Sequence, residues 1–93
     1  MERDEHTLMD KTIIDEAWSL VNGDRKNDYG TAKQNMSRTA KIWSGILDFD
    51  VTPEQVALCM AGVKLARTQN VYKRDNVVDA VGYLLVYDDV KSS

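Results

Sequence analysis

Two almost wholly apolar stretches constrain the fold of this chain more than any other feature. Only Gly62 and Lys64 interrupt the run over residues 56–66, and a second run over residues 77–85 is nearly as apolar. Helices that are apolar on all sides are buried on all sides, but a chain of 93 residues buries only about 60–65% of its unfolded surface. We therefore expect a second copy of the chain to cover part of these helices, in a dimer or a higher homo-oligomer.

The rest of the pattern predicts an all-α, four-helix domain. A first helix, which Thr7 would cap, ends at Asn22-Gly23, and three more helices cover about 31–48, 53–68 and 75–90. The clearest start is Thr52-Pro53-Glu54-Gln55, which combines an N-cap threonine, a proline at the first helical position and the glutamine of a capping box. Helices 3 and 4 would form a central antiparallel hairpin. Two tryptophans on the apolar faces of helices 1 and 2 are expected to anchor the core, Trp18 and Trp43.

The length of the chain predicts a single domain, and its composition excludes several classes of protein. We interpret residues 1–93 as this one domain, in which residues 1–6 form a mobile tail. The net charge of −3 argues against binding to duplex nucleic acid, which needs a basic face. The single cysteine excludes a cysteine-ligated zinc site. The only histidine, His6, lies in the charged N-terminal tail, which argues against a nucleophilic triad, and no catalytic residue is assigned. There is neither a membrane-spanning stretch nor a signal peptide, so we expect a cytoplasmic protein.

Two pairs of charges stand within the apolar helices. Lys64 and Arg67 share one face of helix 3, and Asp75 and Asp79 share one face of helix 4. In an antiparallel hairpin, this register places Lys64 opposite Asp79 and Arg67 opposite Asp75. Two interpretations fit: a structural double salt bridge, or a polar site that binds phosphate through the cations or a divalent metal through Asp75 and Asp79. Tyr83, one turn beyond Asp79, would line that site.

The polar loop over residues 23–30 is a second candidate site. Arg25, Asp28 and Tyr29 lie just before helix 2, whose N-terminus offers free N–H groups and a positive dipole to an anion. Arg25 could bind a phosphate with its planar fork, and Tyr29 could stack on a base. The alternative is a connecting loop whose aspartates only cap helix 2.

Taken together, these motifs resemble a widespread phage and prophage family of unknown function. The resemblance covers about residues 14–84. Its motifs in this chain are GDRxxDYG at 23–30, IWS at 42–44, TPExVA at 52–57, KLAR at 64–67 and DxxxDxxGY at 75–83. A histidine-proline pair often follows the Asp-Tyr-Gly of that family. Here Thr31-Ala32 takes its place, so any role of that histidine is absent.

The last of these motifs is also similar to the final helix of all-α nucleotide pyrophosphohydrolases of the MazG type. Those enzymes hold Mg²⁺ with an E-x-x-E pair on one helix and an E-x-x-D pair on another. The resemblance implies that Asp75 and Asp79 would be metal ligands here. Helix 3 carries Lys64 and Arg67 in place of an acidic pair, and two carboxylates are too few for a hard divalent cation without a neighbouring subunit.

The sequence therefore supports three hypotheses. In the first, a phage-type oligomer binds a nucleotide or other phosphate-bearing ligand without catalysis, for example to sequester a host signalling nucleotide as an anti-defence protein. Its ligand-binding residues would be Arg25, Asp28, Tyr29, Lys64, Arg67, Asp75, Asp79 and Tyr83. The second is a Mg²⁺-dependent pyrophosphohydrolase similar to MazG. The third is an adaptor or inhibitor that binds a host protein through its apolar helices.

Overall fold

The structure is a computed structural model that describes residues 8–24 and 30–92, apart from the side chain of Asp24. Over these ranges the chain is helical and contains no strand, which confirms the all-α prediction. The described residues form four α-helices, α1 (Thr12–Ser19), α2 (Ala32–Leu47), α3 (Pro53–Arg67) and α4 (Arg74–Ser92). A π-helical turn, Leu20–Asp24, continues α1. None of the helices described is long and apolar enough to cross a membrane.

Two capping boxes set the starts of α2 and α3. The backbone N–H of Gln34 donates to Thr31 Oγ1 at 3.1 Å, and the backbone N–H of Thr31 donates to Gln34 Oε1 at 3.0 Å. Thr52 and Gln55 repeat this exchange at 3.2 and 2.9 Å. Each box satisfies two N–H groups that the first helical turn leaves without partners. The predicted starts of both helices are thereby confirmed.

The first helix departs from its prediction at both ends. It begins at Thr12, whose N–H donates to Asp10 Oδ1 at 2.9 Å, and Thr7 lies outside the described residues. The predicted C-cap at Asn22-Gly23 is wrong, because the π-helical turn carries helical backbone through Asp24. Within the described ranges, the only glycine with the positive φ of such a cap is Gly30, at 84°.

The core lies where α2, α3 and α4 meet. Its buried side chains are Met36, Ala40, Val56, Ala57, Val86 and Val90, and Trp43 packs against them. The most extensive packing between any two described helices joins α3 and α4, while α1 packs chiefly on α4. Small side chains allow this close packing of helices but leave a thin core.

Much of the apolar surface is not covered within one copy. Trp18, which was expected in the core, is 60% exposed, so that prediction is wrong. The reason is that α1 is short and buries only Ala17. Helix α3 also leaves Leu58 and Leu65 exposed. The apolar run of α3 is therefore buried on one side only in the isolated chain, whereas in the run over residues 77–85 only Leu84 is exposed.

Candidate functional site

An ion pair joins α3 to α4 inside the apolar runs. Lys64 Nζ lies 3.1 Å from Asp79 Oδ2, and the two side chains are only 14% and 18% exposed. This is the contact that the register predicted. Burial of both groups means that the charge of Lys64 depends on Asp79 for compensation.

The second predicted ion pair does not form, and that prediction is wrong. Arg67, the last residue of α3, and Asp75, in the first turn of α4, are both exposed and make no salt bridge with each other. They line different clefts on either side of the start of α4. The turn over residues 68–73 therefore separates Arg67 from the aspartate face of α4.

Asp75 and Asp79 instead line a cleft with α1. This α1–α4 cleft has a volume of about 600 Å³, and its lining residues are Thr12, Asp15, Glu16, Ser19, Leu20, Asp75, Val78 and Asp79. Four of the eight side chains are carboxylates. Because Asp79 is paired with Lys64 and Glu16 with Arg74, the negative charge that the cleft presents to a ligand comes chiefly from Asp15 and Asp75. In the described part of the chain, no three acidic, histidine or cysteine side chains are placed to hold one metal ion.

Sequence reasoning missed the α1 half of this cleft. Its polar residues recur at i, i+3, i+4 and i+7, as Thr12, Asp15, Glu16 and Ser19. That spacing places them on one helix face. The pattern was readable in the sequence, but nothing local in it showed that this face would meet Asp75 and Asp79.

Arg74 ties the start of α4 to the start of α1. Its guanidinium forms an ion pair and hydrogen bond with Glu16, lies 3.5 Å from Asp10 Oδ2 and donates to Thr12 Oγ1 at 2.7 Å. The hydrogen bond to Glu16 raises the pKa of Arg74. Hydrogen bonds from the Thr12 hydroxyl and N–H, helped by the charge of Arg74, lower the pKa of Asp10. We call this cluster the α1–α4 clamp. The sequence pattern placed Arg74 in the turn between helices 3 and 4 and assigned it no contact.

The loop residues Arg25, Asp28 and Tyr29 lie outside the described residues. The two ends of the loop, at Asn22 and Thr31, line a second cleft of about 320 Å³. The rest of its lining comes from Trp18, Val21, Ala32, Leu85, Val86 and Asp89. The Asn22 amide donates to the Trp18 carbonyl at 2.9 Å. Tyr83 is half-buried on α4 and is not among the described residues that line these clefts.

A third cleft, the turn cleft, lies where α3 passes into α4. It has a volume of about 420 Å³ and is lined by Arg67, Asn70, Val71, Lys73 and Asn76. Asn76 is only 8% exposed, and it is the only buried polar side chain among the described residues. None of the described lining residues is acidic. The cleft thus combines two cations and two amides beside the N-terminus of α4.

Comparison with known proteins identifies the family. The sequence model of one protein family, a domain of unknown function (DUF6378), matches residues 12–91. The chain belongs to this family. It is 39% identical over 82 residues to the Gene 55 protein of Mycobacterium phage L5, covering 86% of this chain and 53% of that protein. It is 34% identical over 76 residues to the Gene 55 protein of Mycobacterium phage D29, covering 81% of this chain and 50% of that protein.

The chain therefore spans about half the length of these curated relatives. No solved structure matches it. The comparisons confirm the resemblance to a phage family of unknown function. They do not show the similarity to MazG-type enzymes.

Proposed function

We propose that this domain binds a phosphate-bearing, nucleotide-like ligand without catalysing its conversion. The observation that carries the proposal is the turn cleft, where Arg67 and Lys73 stand beside the buried amide of Asn76. Arginine presents a planar fork that matches two phosphate oxygens, and lysine adds a compact positive charge. Asn70 supplies a second amide donor.

The backbone supports the same ligand chemistry. Helix α4 begins at Arg74, directly after the turn cleft. The first N–H groups of a helix have no partner within the helix, and its dipole is positive at this end. A phosphate in the turn cleft would lie near these N–H groups and near the positive end of the helix dipole.

The proposal reassigns the residues that the sequence grouped as one site. Lys64 is compensated by Asp79, and the remaining negative charge of the α1–α4 cleft, chiefly that of Asp15 and Asp75, opposes a bare phosphate. Arg67 therefore remains as a phosphate contact, joined by Asn70, Lys73 and Asn76. Roles for Arg25, Asp28 and Tyr29 stay predictions for the loop end of the domain.

Thermal unfolding in the presence of inorganic pyrophosphate and a panel of nucleotides, with and without Mg²⁺, tests the proposal. A ligand at 100 times its dissociation constant stabilises the folded state by about 2.7 kcal/mol. We expect Arg67→Ala and Lys73→Ala to abolish this shift while the variants keep wild-type helicity. Arg67→Lys should weaken the shift, because lysine retains the charge but loses the fork.

Lys91→Ala is the matched control, since Lys91 is an exposed lysine in the last turn of α4, far along the helix from the turn cleft. It should leave the shift unchanged. If no phosphate compound stabilises the wild type at millimolar concentration, the proposal is wrong and the host-protein adaptor becomes the better hypothesis. Equal shifts for the wild type and Arg67→Ala would instead rule out the turn cleft as the binding site.

One observation favours the enzyme hypothesis. Asp15 and Glu16 on α1 line the same cleft as Asp75 and Asp79, so acidic side chains of two helices face one space, although Asp15 and Glu16 are adjacent and do not form an E-x-x-E pair. Carboxylate oxygens are the ligands that Mg²⁺ prefers. The described residues nevertheless do not gather three such ligands for one ion, so we assign no catalytic step. Mg²⁺-dependent release of pyrophosphate from a nucleoside triphosphate, lost in Glu16→Gln, would establish this alternative.

A further inference from the structure

The side chain of Asn76 is buried, yet it has no hydrogen-bond partner in the described part of the chain. Only 8% of the residue is exposed. Its backbone N–H donates to the Lys73 carbonyl at 3.1 Å, whereas its carboxamide makes no hydrogen bond to any described residue. Among the described residues, no side-chain nitrogen or oxygen that is fully buried lacks a partner. The carboxamide therefore reaches open space, and the open space that Asn76 lines is the turn cleft.

A phosphate alone would satisfy only one side of this carboxamide. Nδ2 carries two N–H donors, and Oδ1 is an acceptor. The oxygens of an ionised phosphate accept hydrogen bonds but donate none, so they can pair with Nδ2 and not with Oδ1. A group that places a donor beside an acceptor satisfies both sides, as the edge of adenine does when it pairs with an asparagine through two hydrogen bonds.

The turn cleft also offers space and an apolar wall for a base. Its volume of about 420 Å³ lies within the range of roughly 300–1,000 Å³ that small-molecule sites occupy, and it is larger than one phosphate group requires. Val71 lines the cleft and is 58% exposed, so its side chain is available to pack on the face of a planar ring. Arg67 and Lys73 belong to the same lining.

We propose that the carboxamide of Asn76 pairs with the edge of a nucleobase while Arg67 and Lys73 hold the phosphate of the same ligand. This inference rests on the proposed function, and it narrows the ligand from any phosphate compound to a nucleotide with a free base edge. Oδ1 and one N–H of Nδ2 pair with the base, and the second N–H remains available to the phosphate.

Isothermal titration calorimetry of the full chain with AMP, GMP, CMP, UMP and ribose 5-phosphate tests the inference. Ribose 5-phosphate carries the same sugar and phosphate without a base. A well-placed bidentate pair discriminates by about 5- to 150-fold, so we expect at least one nucleotide to bind about tenfold more tightly than ribose 5-phosphate. Asn76→Leu keeps a similar shape without polar atoms. It should remove most of this difference and change the affinity for ribose 5-phosphate far less.

Two variants and one measurement separate this role from a structural one. Arg67→Ala should weaken the binding of all five compounds together. Asn35→Leu is the matched control, because Asn35 is a half-buried asparagine of α2 that lines none of the three clefts described; it should leave every affinity unchanged. Without ligand, Asn76→Leu should unfold at a temperature no lower than the wild type, since its carboxamide has no partner to lose among the described residues. If that variant does not fold, Asn76→Ala replaces it in the same titrations.

Equal affinity of the wild type for ribose 5-phosphate and all four nucleotides would overturn the inference and leave phosphate binding intact. A loss in the Asn76 variant that is the same for all five compounds would also overturn it, because the side chain would then support the cleft rather than pair with a base. Binding of none of the five at millimolar concentration would overturn it as well. Titration with inorganic pyrophosphate then shows whether the proposed function fails with it.

Discussion

Breaking the ion pair between Lys64 and Asp79 should destabilise the domain far more than the intact pair stabilises it. At 3.1 Å, two unit charges attract each other by about 5 kcal/mol with an effective dielectric constant of about 20. Desolvation of both groups offsets much of this attraction, so the net value of the intact pair is small. Removal of one partner costs more, because the other charge then stays in apolar surroundings.

Breaking a fully buried pair costs about 3–5 kcal/mol. Since these side chains are 14% and 18% exposed, we expect each of Lys64→Met and Asp79→Leu to lower the free energy of unfolding by about 2–4 kcal/mol. The double variant removes both charges and should recover most of that loss. Urea unfolding, monitored by circular dichroism at one fixed protein concentration, measures all four proteins of this double-mutant cycle.

The matched control is Lys33→Met, at an exposed lysine of α2, which should change the free energy of unfolding by less than about 0.5 kcal/mol. A coupling energy below about 0.5 kcal/mol between positions 64 and 79 would refute the reasoning. The two side chains would then be solvated well enough for each charge to stand alone.

Two further predictions concern the ends of helices. The lowered pKa of Asp10 means that its contribution to the α1–α4 clamp is fully present above its ordinary value of 3.8 and is lost as the pH falls through the lower folded-state value. The protection of α1 amides against hydrogen exchange, taken relative to their intrinsic exchange rates at each pH, should therefore fall as the solution is acidified below pH 3.8. Asp10→Asn should remove this acid dependence, and an unchanged acid response in the variant would contradict the prediction. Thr52→Ala removes the N-cap of α3 and should lower the free energy of unfolding by about 1 kcal/mol. The control is Thr68→Ala, which removes a hydroxyl at the other end of α3 and should lower the free energy of unfolding by less. Equal losses for the two variants in urea unfolding would contradict the capping argument.

The helical end signals of α2 and α3 were readable from the sequence. Thr31 with Gln34, and Thr52 with Gln55, act across three residues. Such contacts depend on local backbone geometry, which the chain carries wherever it folds. The contact between Lys64 and Asp79 was also predictable, because two helices joined by a short turn have few registers available.

Other features arise only when distant segments meet. Arg74 contacts Glu16 across 58 residues, and the carboxylates of α1 join those of α4 in one cleft. The exposure of Trp18 has the same origin, since the apolar face of a helix does not reveal how much of it a neighbour will cover. Arg67 was assigned to the wrong partner because the path of the turn after α3 depends on how α4 packs.

The sequence by itself therefore determined an all-α chain, the starts of α2 and α3, and the Lys64–Asp79 ion pair. Only the tertiary structure decided that the predicted site divides into an acidic α1–α4 cleft and a basic turn cleft, and that one face of α3 stays uncovered. The physical reason is the distance along the sequence between the residues that interact. Helix caps and turn registers follow from interactions between near neighbours, whereas the composition of a cleft depends on where α1 packs against α4, and a single sequence does not encode that placement in any local pattern.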